Sequence, residues 1–291
     1  VSTFQTIALV GKYQSHEVAA ALGELVAILR EHRRTVLIEA STAASLGNLG
    51  ARVASYEEIG TQADLAVVAG GDGTMLNTAR RLAEYSVPMV GVNQGRLGFM
   101  TDIGRDGVRE AMAAILAGDF SREERLLLSA MVVRDGEVVF RSEALNDVVV
   151  NKGELGRMIE MEVKIDGELI HVLRADGLII STPTGSTAYA LSANGPILHP
   201  SVAGIAIVPL CPHALSNRPI TVSDASRLEI GLIPPHDARI HFDGQTRFDA
   251  RPGDSVQLQR SPNSVILVHP PGYSYFAMLR QKLHWSSAPR S

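Results

Sequence analysis

The sequence predicts an α/β fold in two parts, an open α/β domain followed by a second, β-rich domain. One observation behind this is a repeated strand-helix order through residues 1–120. Another is the change of rhythm after Phe120, where short strand-like segments separated by Asp-Gly turns take over. The third is the Val-rich run from Leu65 to Ala69, which breaks off into Gly70-Gly71-Asp72-Gly73. An unbroken apolar run of that length is the pattern of a parallel strand buried on both faces.

Taken in order, Thr6 to Val10 is the first strand, and Val18, Leu22, Leu25, Val26 and Leu29 fall on one face of a helix. Thr35 to Glu39 is the second strand. After the run at Leu65, positions Met75, Leu76, Ala79 and Leu82 begin a helical period. Val87 to Val92 follows as a strand, then a loop from Asn93 to Thr101 with Arg96, then a helix marked by Val108, Met112, Ile115 and Leu116. In the second part Arg125 to Val133, Glu137 to Ser142, Ala144 to Asn151, Met158 to Ile165, Glu168 to Leu173 and Ala238 to Phe242 read as strands. Asp135-Gly136, Asp166-Gly167 and Asp243-Gly244 are their hairpin turns, so this domain is mainly antiparallel. Phe276, Leu279 and Leu283 recur at helical spacing near the end. The expected division is 1–120 for the α/β domain, completed by 271–291, and 121–270 for the β-rich domain.

Two stretches carry chemistry. A strand, a glycine turn and a helix in succession place Gly71, Asp72 and Gly73 at the carboxyl edge of an open sheet, where ligands bind and helix amides favour phosphate. A carboxylate there repels phosphate. Asp72 is therefore a metal holder, a proton acceptor for a hydroxyl, or only a helix cap. The other stretch is Arg174 to Pro196, in which a buried strand, Leu178 to Ile180, runs into a loop rich in hydroxyls and then a helix from about Ser186. Six hydroxyl residues lie between Ser181 and Tyr189, flanked by Asp176 and Asn194, which favours a polar ligand pocket over an ordinary Ser/Thr turn.

Composition narrows the classes. With 45% apolar residues and a mean hydropathy of +0.10, the chain is compact and soluble. Its net charge of −4, from 27 basic and 31 acidic residues, disfavours nucleic acid and anionic membrane as partners. Cys211 is the single cysteine, which excludes an internal disulfide or a cysteine-based zinc cluster and fits a cytoplasmic protein. No Walker loop or protein-kinase catalytic loop is present. Leu76 stands where a dinucleotide fingerprint needs its last glycine, and Thr184 where a nucleophile elbow needs its first. His171, His199, His213 and His241 show no zinc-protease spacing and read as ordinary polar or packed positions.

Together, Gly70 to Thr74, Asn93 to Phe99, Asn146-Asp147, the run from Asp176 to Tyr189, Gly195-Pro196 and Pro270 to Phe276 resemble the bacterial NAD kinases over nearly the whole chain. The glycine turn is shared with diacylglycerol, sphingosine and phosphofructokinase relatives, whereas the long threonine-rich run is far more specific. The resemblance implies an N-terminal phosphofructokinase-like α/β domain, a β-rich second domain, and assembly as homodimers or homotetramers. It implies transfer of the γ-phosphoryl group of ATP, or of polyphosphate in some members, to the 2′-hydroxyl of the adenosine ribose of NAD. Mg²⁺ would arrive bound mainly to ATP and need few protein ligands.

By motif, the resemblance makes Asp72 the proton acceptor, with Gly71 and Gly73 in the same turn, and puts Asn146 and Asp147 in the dinucleotide pocket. Asp176 and the segment Thr187, Ala188, Tyr189, Ala190, Leu191 and Ser192 would hold adenine, ribose and the nicotinamide end. Arg174 and Gln245 are further pocket positions, and Arg157 stands where members vary. The residue before Ala-Asp-Gly influences use of NADH in the family, and Arg174 resembles the NAD-selective kind. A lipid or sugar kinase of the same glycine-turn superfamily is the second reading, but it leaves the threonine-rich run without a role. A non-catalytic dinucleotide sensor is the third, and the presence of Asp72 speaks against it.

Overall fold

The structure, a computed structural model, describes residues 4–11, 16–47, 49–93, 95, 98–153 and 157–285, the side chains of His16, Glu17 and Leu46 aside. Gln94, Arg96 and Leu97 of the glycine-containing loop lie outside the described residues. The chain divides into two compact units, Val1–Glu123 with Val265–Ser291, and Glu124–Ser264.

The first unit runs β1 (Thr6–Gly11), α1 (His16–Glu31), β2 (Thr35–Glu39), α2 (Ala40–Leu46), β3 (Arg52–Ala54), α3 (Tyr56–Gln62), β4 (Leu65–Ala69), α4 (Asp72–Leu82), β5 (Met89–Val92) and α5 (Val108–Ala117). Its strands lie parallel in the order β3-β2-β1-β4-β5. The apolar runs are buried as expected, since all five residues of β4 are inaccessible and Val18, Leu22, Leu25, Val26 and Leu29 of α1 pack on the sheet. The elements α2, β3 and α3 are too short and too polar to have announced themselves. α3 is set instead by a capping box in which Ser55 and Glu58 exchange side-chain bonds with each other's backbone N–H. Strand order reverses between β1 and β4, so the chain leaves these neighbours toward opposite sides. The Gly70–Asp72 turn stands at the carboxyl end of β4, at that switch point.

The second unit holds most of β6 (Ser121–Arg134), then β7 (Glu137–Ala144), β8 (Asp147–Lys152), β9 (Ile159–Ile165), β10 (Glu168–Ala175), β11 (Gly177–Ser181), α6 (Tyr189–Ser192), β12 (Gly204–Leu210), β13 (Ile220–Ser223), β14 (Leu228–Leu232), β15 (Ala238–Phe242) and β16 (Thr246–Ala250). β17 (Ser255–His269) begins here and returns the chain to the first unit, where α7 (Tyr275–Leu283) follows. One antiparallel sheet has the order β13-β12-β11-β8-β15-β16, and β10-β9-β14-β17 forms another, with β6 and β7 attached. The inner faces of both meet in one core, where Val148, Val150, Leu178, Ile180, Ile240 and Phe242 pack with Met161, Val163 and Ile230. The outer face of the β11-β8 pair buries Val149 and Ile179 under Ala190 of α6.

Two sequence expectations need correction. The helix expected from about Ser186 is a 3₁₀ turn, Gly185–Thr187, followed by the four-residue α6. On α7 the buried face is Tyr275, Met278 and Leu279, while Phe276 is exposed, one step round the helix from the expected stripe.

Candidate functional site

The turn after β4 answers the question that the sequence left open about Asp72. α4 starts at Asp72 with Gly71 as N-cap, and no side chain caps it. The Asp72 carboxylate reaches instead to the segment after β5, where one oxygen accepts from Phe99 N at 2.9 Å and the other from Met100 N at 3.0 Å. It is not a helix cap. Gly98 makes this contact possible, because a Cβ there would lie 2.1 Å from Asp72 Oδ1 and 2.3 Å from Thr101 Oγ1. The segment itself is fixed, since Thr101 Oγ1 accepts from Asn93 Nδ2 at 2.9 Å and Asn93 N donates to Ile103 O at 2.8 Å. Gly71 and Gly73 are exposed on either side of a half-buried Asp72. A fixed carboxylate at the start of an eleven-residue helix can accept a proton, and the positive end of the helix favours phosphate.

In the second unit a cavity of about 410 Å³ is lined by Asn146, Asp147, Val149, Asn151, Ala188, Tyr189, His241, Asp243 and Gly244. Its floor is the outer face of β8 and β15, where pleating puts Asp147, Val149 and Asn151 on one side. Asp243 and Gly244, both at positive φ, make the tight hairpin turn between β15 and β16. That conformation aims the Asp243 carboxylate back at three backbone amides, Leu145 N at 3.0 Å, Asn146 N at 2.7 Å and Asp147 N at 3.1 Å. Burial and then the charge of Asp243 push the Asp147 carboxyl up to about 7. Burial first, then Arg247 and Arg239, hold His241 below the usual imidazole range.

The hydroxyl-rich loop is a scaffold more than a lining. Ser181, Thr182, Thr184 and Ser186 are all buried, and their bonds run inward. Thr182 Oγ1 donates to Leu145 O at 2.5 Å, Ser186 Oγ donates to Pro183 O at 2.6 Å, and Arg125 Nη1 donates to Thr184 Oγ1 at 3.2 Å. Gly185 lets the loop lie against the Asn146 carbonyl, where a Cβ would come within 2.0 Å of the oxygen.

Residues 7–120 match the family of ATP-NAD kinase N-terminal domains, and residues 145–270 match that of ATP-NAD kinase C-terminal domains. The chain belongs to the ATP-NAD kinase family. An NAD kinase of Aromatoleum aromaticum is 63% identical over 288 residues, 99% of this chain and 96% of the relative. One from Nitrosospira multiformis is 51% identical over 290 residues, 100% of this chain and 99% of that one. Yeast NADH kinase, solved with NADH, superposes with a TM-score of 0.91 at 23% identity, covering 99% of this chain and 93% of the yeast chain. An NAD kinase from Archaeoglobus fulgidus, solved with ATP, gives 0.73 at 23% identity over 96% and 99% of the two chains. At such identity these two speak for the fold. The family's activity is phosphorylation of NAD, a kinase reaction on a nucleotide, and a divalent metal accompanies its ATP.

Set against this NAD kinase framework, the residues singled out from sequence fall into several groups. Asn146, Asp147, Ala188 and Tyr189 line one cavity, and Gln245 is exposed beside its Gly244 wall. Tyr189 is 45% exposed, an aromatic face open to a ligand. Ala190 is not in the lining, being wholly buried against the sheet. Thr187 donates to Thr184 O at 3.3 Å, and Leu191 and Ser192 complete α6. Asp176 pairs with Lys152 at 2.8 Å at the end of β8 and β11 remote from Asp147, and Arg174 pairs with Glu160 at 3.9 Å across β10 and β9. Arg157 is exposed. Sequence reasoning missed Asn151, Asp243 and Gly244, and took His241 for an ordinary polar position. Asp243-Gly244 gave a turn signal, but nothing local told of amides 96 to 98 positions away.

Proposed function

We propose that this NAD kinase transfers the γ-phosphoryl group of Mg²⁺-bound ATP to the 2′-hydroxyl of the adenosine ribose of NAD, with Asp72 as the proton acceptor. The observation that carries the assignment is the double anchoring of the Asp72 carboxylate by Phe99 N and Met100 N, which leaves it free of any capping bond. Each oxygen accepts one N–H and keeps a second lone pair. As the 2′-oxygen bonds to the γ-phosphorus and the bond to the β-phosphate oxygen breaks, the hydroxyl proton passes to an Asp72 oxygen. The exposed Gly71, N-cap of α4, would let phosphate oxygens approach the helix start.

Asn146, Asp147, Ala188, Tyr189 and Gln245 would bind the dinucleotide, Tyr189 by stacking and Asp147 by hydrogen-bonding a sugar hydroxyl. Mg²⁺ would be held mainly by the phosphates of ATP. That cation supplies charge neutralisation on the phosphates. Asp176 is five strand positions from Asp147, roughly 17 Å, and Arg174 precedes it on β10. They would serve a different part of the ligand, or the pocket of a second copy, in a homodimer or homotetramer. Exposed apolar side chains on the edge strand β10, Leu169, Ile170 and Val172, and on β7, Val138 and Val139, support such assembly. A cytoplasmic location agrees with the free Cys211, and no described helix is long and apolar enough to cross a membrane.

The test is product identity. With Mg-ATP and, in separate reactions, NAD, NADH, diacylglycerol and fructose 6-phosphate, NAD should yield a product that an NADP-specific dehydrogenase reduces. A phosphorylated NAD that such a dehydrogenase ignores, or a lipid or sugar product, contradicts the reading.

A further inference from the structure

The first unit buries a charged cluster that the reaction as described does not use. His269, at the end of β17, is 2% exposed and lies between two carboxylates, Asp102 Oδ2 at 2.8 Å from Nδ1 and Glu123 Oε2 at 3.0 Å from Nε2. Its ring stacks on Tyr273 with centroids 3.7 Å apart and planes 6° from parallel. A neutral imidazole has one N–H and one bare nitrogen, so it can satisfy only one ionised carboxylate. Two carboxylates on opposite nitrogens need a ring that donates from both. Asp102 comes from the segment after β5, Glu123 from the start of β6 and Tyr273 from the turn after β17; the two carboxylates are the charged groups acting on the ring. Burial alone would lower the imidazole, but the hydrogen bonds to Asp102 and Glu123 outweigh it and hold the group above its ordinary range.

The place of Asp102 gives this cluster a role. Asp102 follows Phe99 and Met100, the two residues whose amides grip Asp72, and Ile103 next to it bridges to Val92 of β5. We propose that His269, as an imidazolium held between Asp102 and Glu123, is a positioning residue for Asp72, because it fixes the segment whose amides hold the Asp72 carboxylate. The proposal rests on the reading of Asp72 as the base. When the imidazolium loses its proton, one carboxylate faces a lone pair and lets go. If that is Asp102, the segment is released at its foot, the Phe99 and Met100 amides shift, and the base moves. A misplacement of about 1 Å at a reacting group can cost on the order of 10²-fold in rate.

The experiment is kcat and KM for NAD against pH from 6 to 10, for wild type and for Asp102→Asn, Glu123→Gln, His269→Gln and Asp72→Asn, with folding checked by circular dichroism at each pH. Wild type should show an alkaline limb in kcat, with little change in KM. Asp102→Asn and Glu123→Gln each remove one anion from the ring and should move that limb down by roughly 1 pH unit or more. His269→Gln, where it folds, should lose the limb and keep a kcat reduced at every pH. A merely structural cluster would lower the folded fraction without moving the limb. A limb at the same pH in wild type and both carboxylate variants, or no limb in wild type, overturns the proposal. If Asp72→Asn turns over normally, the base reading fails; if it is inactive while the limbs coincide, only the positioning role fails.

Discussion

Replacing Asp147 by Asn should make the protein more stable at alkaline pH and leave it unchanged at acid pH. Asp147 is 5% exposed, and its carboxyl is raised from 3.8 to about 7, first by burial and then by Asp243. Asp243 accepts three backbone N–H bonds, so of the two neighbours it is the one whose negative charge is supported and Asp147 the one that keeps its proton. The sign follows from linkage. Below about pH 4 the folded and unfolded chains both hold the Asp147 proton, and the group contributes no pH dependence. Between about 4 and 7 the unfolded chain releases it while the folded chain retains it, so stability falls as pH rises. At about 1.4 kcal/mol per pKa unit, the rise from 3.8 to about 7 amounts to about 4 kcal/mol at and above pH 8. Asn cannot ionise, so Asp147→Asn removes that loss, against a total stability of roughly 5–15 kcal/mol. Urea-unfolding midpoints of ligand-free wild type and variant, taken from pH 4.5 to 8.5, should lie closest at the acid end and diverge toward the alkaline end. Parallel curves across that range would refute the reasoning.

Gly98→Ala puts a methyl 2.1 Å from Asp72 Oδ1, so kcat should fall at least tenfold with a stability loss of about 1–3 kcal/mol, read by steady-state kinetics and thermal unfolding; wild-type turnover would count against the cradle. Arg174→Gly should relax discrimination between NAD and NADH, because Arg174 is a long, largely exposed planar cation able to tell the two ring charges apart. Equal kcat/KM ratios for wild type and variant would remove it from the specificity account. Sedimentation at assay concentration should show an active oligomer, and Val172→Asp on the exposed edge strand β10 should weaken it; a fully active wild-type monomer would show that the apolar edge has another purpose.

Strands buried on both faces were legible in the sequence because nothing but apolar packing specifies them, and Leu65–Ala69 and Thr35–Glu39 fall where their composition puts them. α1 and α5 were legible from period alone. The short elements α2, β3 and α3 were not, since they depend on caps such as Ser55 with Glu58 and on pairing with β2. In the candidate site, the glycine turn stood out by residue type, and Asn146-Asp147 only through the family resemblance. The hydroxyls of the threonine-rich loop misled in the opposite way, because a Thr that holds a loop together and a Thr that holds a ligand look alike in sequence. Partners remote in the chain were invisible: the 27 and 28 positions from Asp72 to its amide donors carry no local pattern.

The central claim, that Asp72 takes the ribose proton, is tested most directly by Asp72→Asn. The substitution keeps the size of the side chain, but its one carbonyl oxygen can accept from only one of Phe99 N and Met100 N, and its amide cannot take a proton. Turnover of NAD should fall by roughly 10²- to 10⁴-fold, while the Kd for NAD from calorimetry stays close to wild type and stability falls by only about 1–3 kcal/mol for the amide left without its acceptor. A folded Asp72→Asn enzyme with near-normal kcat would contradict the account, and loss of NAD binding together with turnover would make Asp72 a ribose-binding group instead of the base.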